Sequence, residues 1–421
     1  MTKNGFLVAA VTCGAFACAA NDTTAPTSSS LRAGQTETDT AAAFPPPVVP
    51  PELTLPPVQD RSCARRTIVA RSASITDLDE NGAVVGYLQV APTASHAFYW
   101  KGGDPRDLGT LGGAQSYAAA MNNRGDVVGW SERPGKAFPR AVLWRNGEIR
   151  DLGSIGGDSS EALDINDAGQ IVGKAETANG ETHAFVWENG VMTELQRLDG
   201  PLDSATRINA EGRVLGDASR KDARFAAVWI RGGIAPIYPP GYEEASTART
   251  INDQGIVTLH GDNVRRRSWV FDSISGAFEE VLPIENATST FVSNVNARGQ
   301  FAVTVSYEDE SHRSRQSMFF HDNGEYRPIT TSVSHETVGT RAINEQGQVV
   351  GNADGSAGGR AFTWKDETFA YLASTRESSG GYHINGRGQI AGYVDDAAVI
   401  WNTEPCFQSD PNPDAGGGQA W

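Results

Sequence analysis

The chain has 421 residues, 39% hydrophobic and 20% charged, with 46 glycines and a net charge of −16. That length allows two or three average domains or one large repeat array, and so much glycine suits an all-β fold with many turns. The acidity opposes contact with nucleic acid and with anionic membrane surfaces through long-range repulsion; it also keeps an exported protein soluble.

Residues 1–18 read as an export signal. Lys3 supplies a minimal positive region, and Gly5 to Ala17 is a mostly apolar stretch too short to span a bilayer. Ala15-Phe16-Ala17-Cys18 resembles the bacterial lipobox, with Ala15 where leucine is usual, so Cys18 is the expected lipid anchor. The alternative is ordinary cleavage after Ala19 or Ala20, with release of a soluble protein. Residues 19–60 are rich in Thr, Ser, Ala and Pro and include Pro45-Pro46-Pro47-Val48-Val49-Pro50-Pro51. Such a stretch buries little and stays extended, as a disordered tether between membrane and domain would. Residues 407–421 read as a disordered tail. The expected location is the outer membrane or cell surface as a lipoprotein, or the medium as a secreted protein.

Residues 61–406 carry a repeat. Asn, two residues, Gly and an apolar run recur, as in Asn122-Asn123-Arg124-Gly125-Asp126-Val127-Val128-Gly129. Asp79 replaces the Asn in the first copy, and later copies start at Asn166, Asn209, Asn252, Asn296, Asn344 and Asn385. The turn glycines, from Gly82 to Gly388, are spaced by 43, 44, 43, 43, 44, 48 and 41 residues. An apolar segment with an aromatic end follows each turn, as in Ala141-Val142-Leu143-Trp144, and some units close on Asp-Leu-Gly-x-Leu or a near variant. The residues before each Asn form a first strand, and Asn-x-x-Gly is a tight turn in which Asn bonds its own backbone and Gly takes positive φ. The run after the turn is a second strand, the aromatic segment a third and the Asp-Leu-Gly close a fourth. Four strands in about 43 residues make one propeller blade.

The chain ends decide between an open solenoid and a closed ring. The last unit stops near Cys406 without a fourth strand, whereas Thr67-Ile68-Val69-Ala70 precedes the first unit with no turn of its own. Ring closure makes that segment the missing strand and lets Cys63 pair with Cys406. In a solenoid the two cysteines would lie far beyond the disulfide reach of about 7 Å between Cα atoms. The expected fold is therefore an all-β, eight-bladed β-propeller of four-stranded blades, clasped by a Cys63–Cys406 disulfide; a seven-bladed ring is the alternative.

His96-Ala97-Phe98 and His183-Ala184-Phe185, with the Asn-x-x-Gly-x-Val-Val-Gly turn and the Asp107-Leu108-Gly109-Thr110-Leu111-Gly112-Gly113 close, resemble the HAF repeat family of extracellular repeats. The resemblance spans about residues 66 to 402, is strongest in the first three units, and weakens from Arg265 to Phe320. It implies export and repetition and carries no established activity.

Chemistry is sparse in the sequence. No histidine pair has metal-ligand spacing, and no nucleophile elbow or phosphate-binding glycine loop occurs, so no catalytic or metal-binding residue is assigned. Asp77-Leu78-Asp79-Glu80-Asn81-Gly82 opens like a calcium loop but lacks the closing carboxylate, which would fall on Leu88; no cofactor is expected. The loops between second and third strands vary most, on the face where propeller ligands usually dock. His260, Arg265, Arg266 and Arg267 form a basic loop able to pair with carboxylate or phosphate groups, and Asp309, Glu310 and His312 sit in the insertion behind the 48-residue spacing. The expected function is a monomeric binding or scaffold module for an extracellular or periplasmic protein or glycan. The alternatives are a glycan-active propeller enzyme and a periplasmic envelope-assembly lipoprotein. An enzyme requires acidic or histidine side chains converging at the ring axis; a binding module requires an apolar or aromatic patch.

Overall fold

The structure is a computed structural model. It describes residues 63–407, apart from 137, 222, 242–245, 262–266, 283–286, 309–313, 330–337, 356–357 and 375. Cys18, the 19–60 tether and all but the first residue of the 407–421 tail lie outside the described residues.

The strands form eight four-stranded antiparallel sheets. In blade 1 they follow chain order from the axis outward: Ala73–Leu78, Val84–Ala91, Ala94–Trp100 and Arg106–Asp107. Six blades repeat this order. Blade 8 takes Ser379–Ile384, Gln389–Val394 and Ala397–Asn402 from the C-terminal side and its outermost strand, Arg65–Arg71, from the N-terminal side. Cys63 and Cys406 are bonded beside that strand, with Cα atoms 5.0 Å apart. The ring thus has eight blades. The seven-bladed alternative is excluded because the N-terminal strand completes the eighth sheet instead of leaving it unfinished.

Apolar side chains fill each seam between blades. At the closing seam, Val69, Ala391, Ala398 and Ile400 of blade 8 pack on Ile75, Val84, Phe98 and Trp100 of blade 1. Equivalent clusters occupy the other seams, so the core is a wheel of sheet-on-sheet contacts.

Two local devices explain the motif. Every innermost strand has a register shift just before its Asn, for example between Ala118 and Ala120 and between Ala248 and Thr250. Bulges of this kind bend a strand and re-aim a side chain. In blade 2 the displaced backbone leaves no room for a side chain opposite, and a Cβ on Gly129 would lie 1.9 Å from Tyr117 O. This accounts for the second glycine of the Val-Val-Gly run.

The repeated Asn does more than close a turn. In Asn122, Oδ1 accepts from the N–H groups of Arg124 and Asp126 at 3.1 and 3.0 Å. Its Nδ2 donates to Asn166 O in the next blade at 3.2 Å. The same bond runs from Asn166 to Asn209, then to Asn252, Asn296, Asn344 and Asn385, and from Asn385 to Asp79 O. Seven amides thus clasp seven seams. The seam between blades 1 and 2 lacks the bond, because the Asp79 carboxylate has no hydrogen to donate.

Candidate functional site

A cavity of about 550 Å³ lies on the ring axis, walled by the innermost strands of six blades. That volume falls in the range of small-ligand sites, about 300–1,000 Å³. The residues two and three positions before each repeat Asn supply most of the wall, because the bulge turns that stretch toward the axis. Blades 1 and 3 carry Asp77 and Asp164 there, and blades 2, 6 and 8 carry neither an acid nor an arginine. Blades 4, 5 and 7 carry Arg207, Arg249 and Arg341.

None of these three arginines forms an ion pair among the described residues. Arg207 Nη1 donates to Thr206 O at 2.7 Å. Arg249 rests on Phe291, with Cζ 4.7 Å from the ring centre, and Arg341 lies over Tyr382 at 5.8 Å. Burial holds the Arg249 guanidinium below its ordinary value, and the charges of Arg207 and Arg341 push it further down. Three like charges therefore converge on one space, while the chain as a whole is acidic.

Carboxylates also reach the axis, but they already have partners. Asp77 accepts from Leu78 N through Oδ1 and from Met121 N through Oδ2, both at 2.8 Å. Asp164 accepts from Ile165 N and Ile208 N, both at 2.9 Å. Met121 and Ile208 belong to the next blade, so each carboxylate staples a seam. Asn294 does the same in blade 6, accepting from Ile343 N at 2.7 Å and donating to Ile343 O at 3.0 Å. Burial raises Asp164 to about 6, against the pull of Arg207 and its two N–H bonds. His383 is held below the ordinary histidine range by burial and by Arg207, against the pull of Asp77. Acidic and histidine groups thus meet at the axis, yet all four carboxylate oxygens are spent on backbone.

Aromatic side chains also pair on the first and second strands of blades 1, 2 and 8. Tyr87 lies 5.3 Å from Tyr117, which stacks on Trp130 at 5.9 Å. In blade 8, beside blade 1, Tyr382 stacks on Tyr393 at 5.8 Å. Tyr117 sits within the field of Arg207.

Of the residues singled out from the sequence, His260 and Arg267 are described. His260 lies in the second strand of blade 5, Ile256–Gly261, stacked on Phe291 at 5.4 Å and bonded through Nδ1 to Ser268 Oγ at 2.7 Å. It belongs to a strand, behind the cavity-lining Phe291, rather than to a solvent loop. Arg267 pairs with Glu280. Arg265, Arg266, Asp309, Glu310 and His312 lie outside the described residues. In the calcium-like segment, Asp79 Oδ1 accepts from Asn81 N and Ala83 N at 2.9 and 2.7 Å, so that oxygen serves the turn.

No protein-family model and no curated protein matches the chain. It is similar to solved structures at low identity. YCF48 bound to D1 peptide is 13% identical, with 82% of this chain and 98% of that one covered and a TM-score of 0.45. The β-propeller domain of the Trilobed protease from Pyrococcus furiosus is 11% identical, with 80% and 95% covered and a TM-score of 0.44. Prolyl oligopeptidase B from Galerina marginata is 11% identical, with 79% and 55% covered and a TM-score of 0.49. At this level the likeness is one of fold alone.

Proposed function

We propose that this chain is an exported binding module, tethered through Cys18, whose ligand is an anion seated in the central channel. One observation carries the reading: Arg207, Arg249 and Arg341 share a walled cavity, and none of them forms an ion pair among the described residues, Asp164 acting on Arg207 only at longer range. Arg207, Arg249 and Arg341 are solvent-exposed, yet like charges facing one space raise the free energy of the empty site, and an anion offsets that repulsion. Unpaired guanidiniums also present fixed donors suited to carboxylate or phosphate. The carboxylates of Asp77 and Asp164 and the amide oxygen of Asn294 are bonded to backbone N–H groups, which favours an acceptor-rich ligand over a neutral one rich in hydroxyl donors.

Export is supported by the signal-like start, the lipobox-like Cys18, the HAF-type repeats and a disulfide suited to an oxidising compartment. A glycan-active enzyme has one observation in its favour, the raised carboxyl of Asp164; the two N–H bonds on that carboxyl speak against it as a free acid or nucleophile.

The test is a thermal-shift and calorimetric screen of the secreted chain against small anions, neutral sugars and peptides. Binding of anions that weakens with salt, and disappears in the triple variant R207Q/R249Q/R341Q, supports the reading. Tight binding of a neutral glycan that is indifferent to the triple variant refutes it.

A further inference from the structure

Two of the channel arginines stand on matching supports. Arg249 lies over Phe291, and the Phe291 ring stacks on His260 with 27° between planes. Arg341 lies over Tyr382, and the Tyr382 ring stacks on Tyr393 with 30° between planes. A ring face attracts a guanidinium and limits its rotation, and the N–H groups at the edge of the cation remain free for a ligand. These rings serve the arginines, so they are not platforms for the flat face of a sugar. His260 is held down to about 4 by burial and then by Arg249, so it stays neutral at pH 7 and adds no repulsion to the stack.

Building on the anion reading above, we propose that the channel selects compact polyanions, small molecules with two or more carboxylate or phosphate groups, over monoanions and neutral sugars. Arg249 and Arg341 are the direct contacts, Arg207 adds the third charge, and Phe291 and Tyr382 are positioning residues. Valence follows from geometry. The three cations come from three different blades, and one monoanion offsets one of them and leaves the others repelling. A ligand with two or three acid groups engages them together, and bidentate pairing fixes its orientation. The cavity of about 550 Å³ admits one small molecule of this kind.

Calorimetry on the secreted chain at constant ionic strength tests this, with citrate, inorganic phosphate, acetate and trehalose as probes. Citrate is expected to bind at least about tenfold more tightly than acetate, as two or more charge-assisted bonds outweigh one. R249Q and R341Q should each weaken citrate about tenfold or more. R249K keeps the charge and loses the planar fork, so it should recover only part of the affinity. F291L should lower citrate affinity and narrow the citrate-to-acetate ratio while the thermal transition stays cooperative. Comparison of citrate with phosphate separates a carboxylate ligand from a phosphorylated one. Equal affinity for citrate and acetate would overturn polyanion selectivity while leaving anion binding in place. Failure of every anion to bind, with the fold intact, would overturn the underlying reading as well.

Discussion

Asp164 is expected to destabilise the ring at neutral pH, and Asp164→Asn should relieve it. Its carboxyl is raised from an ordinary value near 3.8 to about 6, with burial the largest cause. A folded-state value above the unfolded one means that the folded protein binds the proton more tightly. Stability is then highest below the unfolded value, falls as pH rises from about 3.8 to about 6, and stays low above that. The shift corresponds to about 3 kcal/mol. Blade 6 shows how an amide serves at this position: Asn294 keeps the N–H of Ile343 and donates to its carbonyl. In Asp164→Asn the amide can treat Ile208 in the same way and gives up the bond from Ile165 N, worth about 1 kcal/mol. The net gain at pH 7 is therefore about 2 kcal/mol, turning into a loss of about 1 kcal/mol near pH 3.5. Urea or thermal unfolding of both proteins across pH 3.5–7.5 measures the difference. His260 titrates over part of the same range, but it does so in both proteins and cancels. A stability difference that does not change with pH would mean that Asp164 ionises normally, and the reasoning would fail.

The same proton should tune the ligand. Protonation of Asp164 removes a negative charge near Arg207, so citrate affinity of the wild type relative to Asp164→Asn should rise toward parity in calorimetry as pH falls through about 6; citrate's own protonation acts on both proteins and cancels in the ratio. Asp79→Asn supplies the clasp missing between blades 1 and 2 and should raise stability by about 0.5–1.5 kcal/mol, whereas Asn252→Asp should lower it by a similar amount; denaturant midpoints decide both. Gly129→Ala places a Cβ 1.9 Å from Tyr117 O, so the bulge of blade 2 must shift and the melting temperature must fall well below that of wild type. Cys63→Ser opens a loop whose ends are 343 residues apart in sequence. Chain entropy values the bridge at up to about 5–6 kcal/mol. The melting temperature should drop and become insensitive to reductant, yet the sheet of blade 8 should still form on the pairing of Arg65–Arg71 with Ala397–Asn402.

The architecture was legible because a ring imposes the same demand on every blade. Gly82 and its seven successors mark a turn that needs positive φ, the Val-Val run marks a buried second strand, and the two cysteines stand at the two ends of the array. The channel was not legible, because its residues obey no repeat rule. Arg207 stands where other units carry Asp, Ala, Thr, Asn or His, and Arg249 and Arg341 where others carry Thr, Ala, Leu, Ser or Tyr, and a search for shared features passes over such departures. The loop residues from Arg265 to Arg267 drew attention as a cationic run, yet Arg267 is paired with Glu280, while scattered single arginines meet at the axis.

The Asn ladder shows what a closer internal comparison can extract. An Asx turn accepts Asp or Asn equally well, since only a side-chain oxygen is required. Seven of eight units use Asn. That bias asks for a donor pointing away from the turn, and the nearest acceptor outside a blade belongs to the next blade. Applied to the position two residues earlier, the same logic separates the acceptor-only Asp77 and Asp164 from the amide Asn294. The preference for one isostere over another in a repeat reports the contacts between units, and the places where a repeat abandons its preference mark the residues free to take on a ligand.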